Sequence, residues 1–276
     1  MSLIAIVLIY AAFDLLNKRN VPDVFAYASV VLGIAVTFLY NSNILPVSFG
    51  IAAAVAIIGY IVYRAGLWGA GDYFELVAIS LIFPIQPYAW LSNVTQLGLP
   101  FVLSVFVATG FAAVWTVPIY YLFFTKRQRT EIRPDVKHIG YGVALLILYM
   151  MLLIGVFFQY SFGMGRFILI LLISIPSFVT LVFSEEITSR MVQRIYPNQL
   201  DEGDIIAFNM MSRGEKKYFS SKYSGFGRLA TKYLITKMKK ERAKLPVYRD
   251  AAPLAVFIAI GAAISLLFGN IILFII

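Results

Sequence analysis

Three carboxyl residues stand inside otherwise apolar sequence. Asp14 lies in Ile9-Tyr10-Ala11-Ala12-Phe13-Asp14-Leu15-Leu16, Asp72 closes Gly69-Ala70-Gly71-Asp72, and Glu75 follows one helical turn later. An acid within a membrane-crossing segment is costly, which marks each as a candidate functional group. Two carboxyls held close together can share one proton. One then stays protonated while the other takes a proton from an attacking water, the chemistry of aspartic peptide hydrolysis. Glycines before Asp72 suit such a site, since they let a substrate backbone approach and accept dihedrals strained for other residues. Glu75, at i+3 from Asp72, falls near the same helix face and is expected to support the pair. Plain structural readings stand beside these. Gly-x-Gly-Asp also describes a turn running into a helix N-cap, and by composition alone it arises in roughly seven of every hundred chains of this length. Asp14 could simply pair with Lys18 at i+4.

Other chemistries lack their residues. The chain has one histidine, His138, and no cysteine. That excludes a His-Glu-x-x-His zinc site, thiolate metal sites and Cys nucleophiles. No Gly-x-Ser-x-Gly pentad or glycine-rich phosphate loop is present, and His138 beside a basic loop reads as an interfacial residue. No metal and no organic cofactor are expected.

The acids must be positioned by membrane helices. Of 276 residues, 61% are hydrophobic and only 13% charged, against about 25% charged in soluble domains; the mean hydropathy is +0.83. The apolar residues come in continuous blocks, which in lipid must be helices, since they lack the alternation of a barrel. Eight spans are predicted, at roughly 2–16, 24–40, 44–63, 73–91, 100–124, 140–158, 167–183 and 253–276. The segment 2–10 is read as a retained first helix and not a signal peptide. The connections alternate in character, and 22 of the 23 basic residues fall in one set, with Arg166 alone in the other. By the positive-inside rule the first set is cytoplasmic and both termini face out. Asp14 and Asp72 then lie at the same depth, just inside the cytoplasmic boundary. The net charge of +9 is assigned to these loops and to anionic lipid, not to nucleic acid.

One sizeable polar stretch, 184–250, separates a membrane region, 1–183, from a last helix, 251–276. It carries Glu185 and Glu186, an acidic knot of Asp201, Glu202 and Asp204, and a basic stretch with Phe226, Leu229, Tyr233, Leu234 and Met238 on one face. That face predicts an amphipathic helix lying on the inner leaflet. The acidic groups are the candidate contacts for a basic ligand, or else balance neighbouring lysines.

Gly69-Ala70-Gly71-Asp72 is the Gly-x-Gly-Asp signature of membrane aspartic peptidases. Asp14 followed by Val21-Pro22-Asp23 resembles the first-helix motif of prepilin peptidases, and the archaeal branch, prepilin and preflagellin peptidases, fits best. The approach to Phe83-Pro84, Leu200-Asp-Glu-Gly-Asp204 and the final helix entered through Pro253 are similar as well. The resemblance covers about the first 125 and last 75 residues; 140–183 look like a helix pair added to the usual six. Asp14 stands one residue further from Pro22 than in the family, and Phe74 occupies the place of a frequent Lys.

The resemblance implies an all-α, polytopic membrane peptidase in the plasma membrane, with Asp14 and Asp72 catalytic and Gly69, Gly71 and Glu75 supporting. It would cut the basic leader from a protein precursor at the cytoplasmic face. Two alternatives stand. One is a presenilin-like or signal-peptide-peptidase-like protease, suggested by Phe13-Asp14 and Ala252-Pro253-Leu254. The other is a proton-coupled transporter whose acids relay protons; it should show inverted repeats, and none is found.

Overall fold

A computed structural model of the protein describes residues 2–17, 21–40, 42–88, 90–91, 98–124, 136–159, 164–239, 241–249 and 251–270. Lys18, Arg19, the basic loop at 125–135 and the end of the last predicted span lie outside the described residues. The chain is largely helical. In order come α1 (Ser2–Leu16), α2 (Asp23–Tyr40), α3 (Leu45–Arg64), α4 (Ala70–Ile82), α5 (Phe101–Ile119), α6 (Val136–Gln159), α7 (Met164–Val182) and α8 (Ser184–Met191). A polar module follows with β1 (Val192–Ile195), α9 (Arg213–Lys222), α10 (Lys232–Met238) and β2 (Leu245–Tyr248), and α11 (Leu254–Phe268) closes the described chain.

A hydrocarbon core of about 30 Å takes roughly 20 helical residues to cross. Three helices among the described residues are long and apolar enough, at Asp23–Tyr40, Ser42–Arg64 and Phe101–Phe123; a pair bent by 69°, Ile170–Val182 with Ser184–Met191, would make a fourth. Ser2–Leu16, Leu254–Phe268 and the part of α6 at His138–Met151 are shorter apolar stretches. Among the described residues three or four of the eight expected spans are thus long and apolar enough to cross.

The clearest shortfall is α4, predicted to run through 91 but ending at Ile82. Pro84 explains it. Proline lacks the N–H that would bond the Ser80 carbonyl and holds the preceding residue out of the α region; Phe83 is extended, with φ −128° and ψ 83°. The non-helical stretch beyond is bonded back into the protein. Gln86 N donates to Leu99 O, Gln86 Nε2 to Ser265 O, Trp90 N to Leu266 O and Leu91 N to Leu267 O. Irregular backbone at membrane depth is tolerated only where its polar groups are met in this way.

α4 is the hub. Every residue from Glu75 to Ile82 is buried, as expected of a helix apolar all round. One face shares a core with α1, α5 and α11 through Leu3, Val7, Tyr10, Ile79, Val105 and Ile258. The other meets α2 and α3, where Val77 and Leu81 pack with Ala52. Glycines allow these close approaches: a Cβ on Gly33 would stand 3.0 Å from Leu81 Cβ, and one on Gly59 2.5 Å from Tyr73 Cβ.

α5 ends in a π turn, Tyr120–Phe124. Buried Arg190 reaches over from α8 to bond Tyr121 O, and pairs with Glu186 Oε1 at 2.8 Å. Removing one partner of a buried charged contact strands the others. Arg190→Met should therefore lower stability by about 2 kcal/mol, read as a lower unfolding temperature in detergent or lipid; an unchanged temperature would contradict the assignment.

The polar module differs from the amphipathic helix expected. Among the described residues of the basic stretch only Lys232–Met238 is helical, and Leu234 and Met238 point into the module's own core with Phe219, Ile206, Leu245 and Val247. Leu229 forms a bridge with Ile205, while β1 and β2 pair antiparallel from Val192↔Tyr248 to Ile195↔Leu245. These two short strands are the departure from an all-helical chain. Glu241 ties the module's C-terminal side: Oε2 accepts from Lys222 Nζ, Tyr223 OH and Tyr218 OH, and Oε1 from the N–H groups of Arg242 and Ala243. Lys222 first, then Tyr223, Ala243 and Tyr218, hold this carboxyl down at about 2, below the usual value of about 4.3. A depressed carboxylate stabilises the fold above its unfolded pKa, and that contribution is lost as pH falls through the folded value. Protection from hydrogen exchange in 192–249, taken relative to the intrinsic rate at each pH, should thus fall between about pH 4.3 and 2. In Glu241→Gln this protection should be lower at neutral pH and change little across that window; a wild-type-like curve would refute the role.

Candidate active site

Asp14 and Asp72 each come to the site with a backbone partner. On α1, Tyr10 and Asp14 are one turn apart, and both are buried. Asp14 does not snorkel outward. Its Oδ2 accepts a hydrogen bond of 3.0 Å from Ala255 N, in the first turn of α11 behind Pro253 as N-cap. The first N–H groups of a helix have no intrahelical partner, and its dipole favours an anion there. Lys18, the alternative partner, lies outside the described residues.

Asp72 occupies the third position of α4, with Gly69 as N-cap, and its Oδ2 accepts from Gly69 N at 2.8 Å. The turn-and-cap reading of Gly-x-Gly-Asp therefore describes the local geometry, and the same cap orients the carboxyl. The glycines are needed for space and not for unusual dihedrals. Gly69 has an ordinary φ of −74°, but a Cβ on it would stand 3.1 Å from Asp72 Oδ2. A Cβ on Gly71 would meet Val21 Cγ2 at 2.7 Å, so the turn ahead of α2 lies directly on the start of α4.

The site also gathers side chains that the sequence motif did not announce. Asp14 and Asp72 interact electrostatically, Glu75 interacts with both, and Tyr10 with Glu75 and Asp72. Tyr10 OH lies 2.9 Å from Ser29 Oγ, whose own proton goes to Ala26 O at 2.7 Å. Ser29 has one hydrogen to give, so Tyr10 is the donor of the pair. Tyr10 sits four residues before Asp14, a spacing that identifies its face; nothing in the sequence pointed to Ser29 or Ala255. Glu75 is 0% exposed, and neither of its oxygens has a hydrogen-bond partner among the described residues.

The five acids of the polar stretch are not gathered with the pair. Glu186 is taken by Arg190, and Asp201 and Asp204 by Arg249 at 3.3 and 3.4 Å. Glu185 and Glu202 are exposed. The module does touch the approach to Asp72: Gly66, in a left-handed turn at φ +67°, lies against Arg228 Cβ and Ile205. Among the described residues no group of three or more His, Cys, Asp or Glu is arranged to hold a metal ion.

Residues 1–117 match the model of the type IV leader peptidase family. This stretch contains α1 to α4 and nearly all of α5, and with them Asp14, Gly69, Gly71, Asp72 and Glu75. No curated protein and no solved structure matches the chain. The family match supports a prepilin-peptidase-like membrane protein, a peptidase whose substrate is a protein.

Proposed function

We propose that this leader-peptidase-like chain is an aspartic endopeptidase of the Gly-x-Gly-Asp kind, with Asp14 and Asp72 as its catalytic pair. It removes a short basic leader from precursors whose next segment is an apolar helix. One observation carries the reading: within the family-matched stretch, two carboxyls from different helices are in electrostatic range, each oriented by one backbone N–H. In this account the ionised member takes a proton from water as its oxygen attacks the scissile carbonyl carbon. The protonated member gives its proton to the carbonyl oxygen. The gem-diol then collapses, the C–N bond breaks with a proton passing to the leaving nitrogen, and the pair recovers its single proton.

The pair sits at the end of the helices from which the polar module emerges. Gly66 precedes the motif by three residues and packs on the module, and β2 leads into the α11 turn that binds Asp14. By the distribution of basic residues this end is cytoplasmic, and the shorter apolar helices complete a bundle of about eight segments. Glu185 and Glu202 are the acids left to meet a basic leader. Exposed ion pairs contribute about 0–1 kcal/mol each, so they tune KM and do not select the bond.

The test is to incubate the protein in lipid with a precursor bearing a basic leader and an apolar helix, and to map the products by mass spectrometry. A single cut at the junction, slowed when the leader's cations are neutralised, is expected. A cut inside the apolar helix would favour a presenilin-like activity, and an intact precursor would overturn the proposal.

A further inference from the structure

Among the described residues Glu75 is the one buried acid that the proposed mechanism leaves unused. It lies a single turn further into α4 than Asp72, with no exposure to solvent and no donor for either oxygen among the described residues. A buried polar group without a partner demands an explanation, a functional role or bound water among them. Burying a carboxyl without a partner is unfavourable, and a Leu or Met would fill an apolar helix face without that cost.

Its surroundings are specific. From α1, Tyr10 and Asp14 act on it, and from its own helix Asp72. Tyr10 already donates to Ser29 of α2, so its proton is engaged. The titratable residues near the outer face of α4, Asp23 and Tyr27 of α2 and Tyr60 and Tyr63 of α3, act on Tyr73 instead. No titratable group of α5 or α11 contributes at Glu75. Among the described residues no cation compensates the carboxyl, and its electrostatic partners are the two acids of the pair and a tyrosine.

We propose that Glu75 is a positioning residue of this site, a third carboxyl that shares protons with Asp14 and Asp72 through water, so that the three acids titrate as one unit. The inference rests on the assignment of Asp14 and Asp72 as the catalytic pair. Interacting acids lose protons in macroscopic steps that belong to the set and not to any member. A charge that resides on Glu75 for part of the time restrains ionisation of the pair, so its removal alters when the pair is correctly protonated. A water bridging Glu75 to the pair would satisfy its oxygens and add a contact to the Asp72 carboxyl besides its bond from Gly69 N.

The test uses the full-length protein in lipid with a cleavable precursor, and compares wild type with Glu75→Gln and Glu75→Met. Both variants keep the side chain's approximate volume, and the Met variant removes the buried polar group altogether. Wild-type cleavage and its loss in Asp72→Asn are established first, so failure of the catalytic assignment is distinguished from failure of this inference. The expected result is a roughly tenfold fall in kcat with KM within about twofold, and a pH–rate profile displaced toward lower pH by about half a unit or more, since one negative charge no longer accompanies the pair. Unfolding temperatures at or above wild type would accompany it. A profile superimposable on wild type in both variants, whatever the change in kcat, would overturn the inference and leave Glu75 a packing residue.

Discussion

Asp14→Asn and Asp72→Asn should each lower precursor cleavage by about three orders of magnitude or more while leaving the protein folded and inserted. General acid–base groups contribute roughly 10²–10⁴-fold, and loss of one member of a proton-sharing pair also disables the other. The substitution is nearly isosteric, and the Asn carbonyl can still accept from Ala255 N or from Gly69 N, the bonds that Asp14 and Asp72 accept at 3.0 and 2.8 Å. Structure should therefore survive where chemistry does not. Equal expression, equal protease resistance and unaltered unfolding temperatures are the controls. A single Asn variant retaining even a tenth of wild-type activity would remove that residue from the catalytic pair.

The second large effect concerns Gly71. An added Cβ would stand 2.7 Å from Val21 Cγ2 and 3.0 Å from its Cβ, closer than real contacts permit, so the turn ahead of α2 or the start of α4 must shift. A displacement of about 1 Å at a catalytic group can cost 10²-fold in rate, and Gly71→Ala is expected to lose about that much. Because the obstructing atoms belong to a side chain, the defect should be repairable. Val21→Ala removes both γ carbons and leaves only the 3.0 Å contact, so the double variant should recover much of the lost rate, with Val21→Ala alone close to wild type. Additive losses in the double variant would mean that Gly71 serves substrate approach and not this packing contact.

The limits of several helices were legible because hydrophobic blocks and polar punctuation coincide there. The first predicted segment, 2–16, and the fifth, 100–124, agree closely with α1 and α5 with its π turn. α4 was overextended for a physical reason. Ile85, Tyr88, Trp90 and Leu91 are as apolar as a helix interior, and Pro84 with Pro87 distinguishes a stretch whose backbone bonds run to α11. The basic stretch misled in the same way. Phe226, Leu229, Tyr233 and Leu234 have helical spacing, but Gly225 turns at φ +82°, Thr231 caps the short α10 through Leu234 N, and Leu229 is spent on a bridge. Phe226 and Leu234 are spent on a small core, while Tyr233 stays exposed, so the four share no single apolar face. Asp14, Asp72 and Glu75 stood out because acids are conspicuous in apolar sequence. The Asp14–Ala255 bond joins residues 241 apart, and no local spacing announces such a contact. The role of Gly71 was visible as a motif, yet its physical cause, Val21, required the packing.

The claim that Asp14 and Asp72 act as a unit is tested most directly by a double-mutant cycle on cleavage rate. Wild type, Asp14→Asn, Asp72→Asn and the double variant are measured with the same precursor in the same lipid, at equal protein. Groups that act together are grossly non-additive, so the double variant should be no slower than the slower of the singles. Losses that multiply, with each Asn reducing the rate by its own factor whether or not the other acid is present, would show two independent groups and contradict the shared-proton pair.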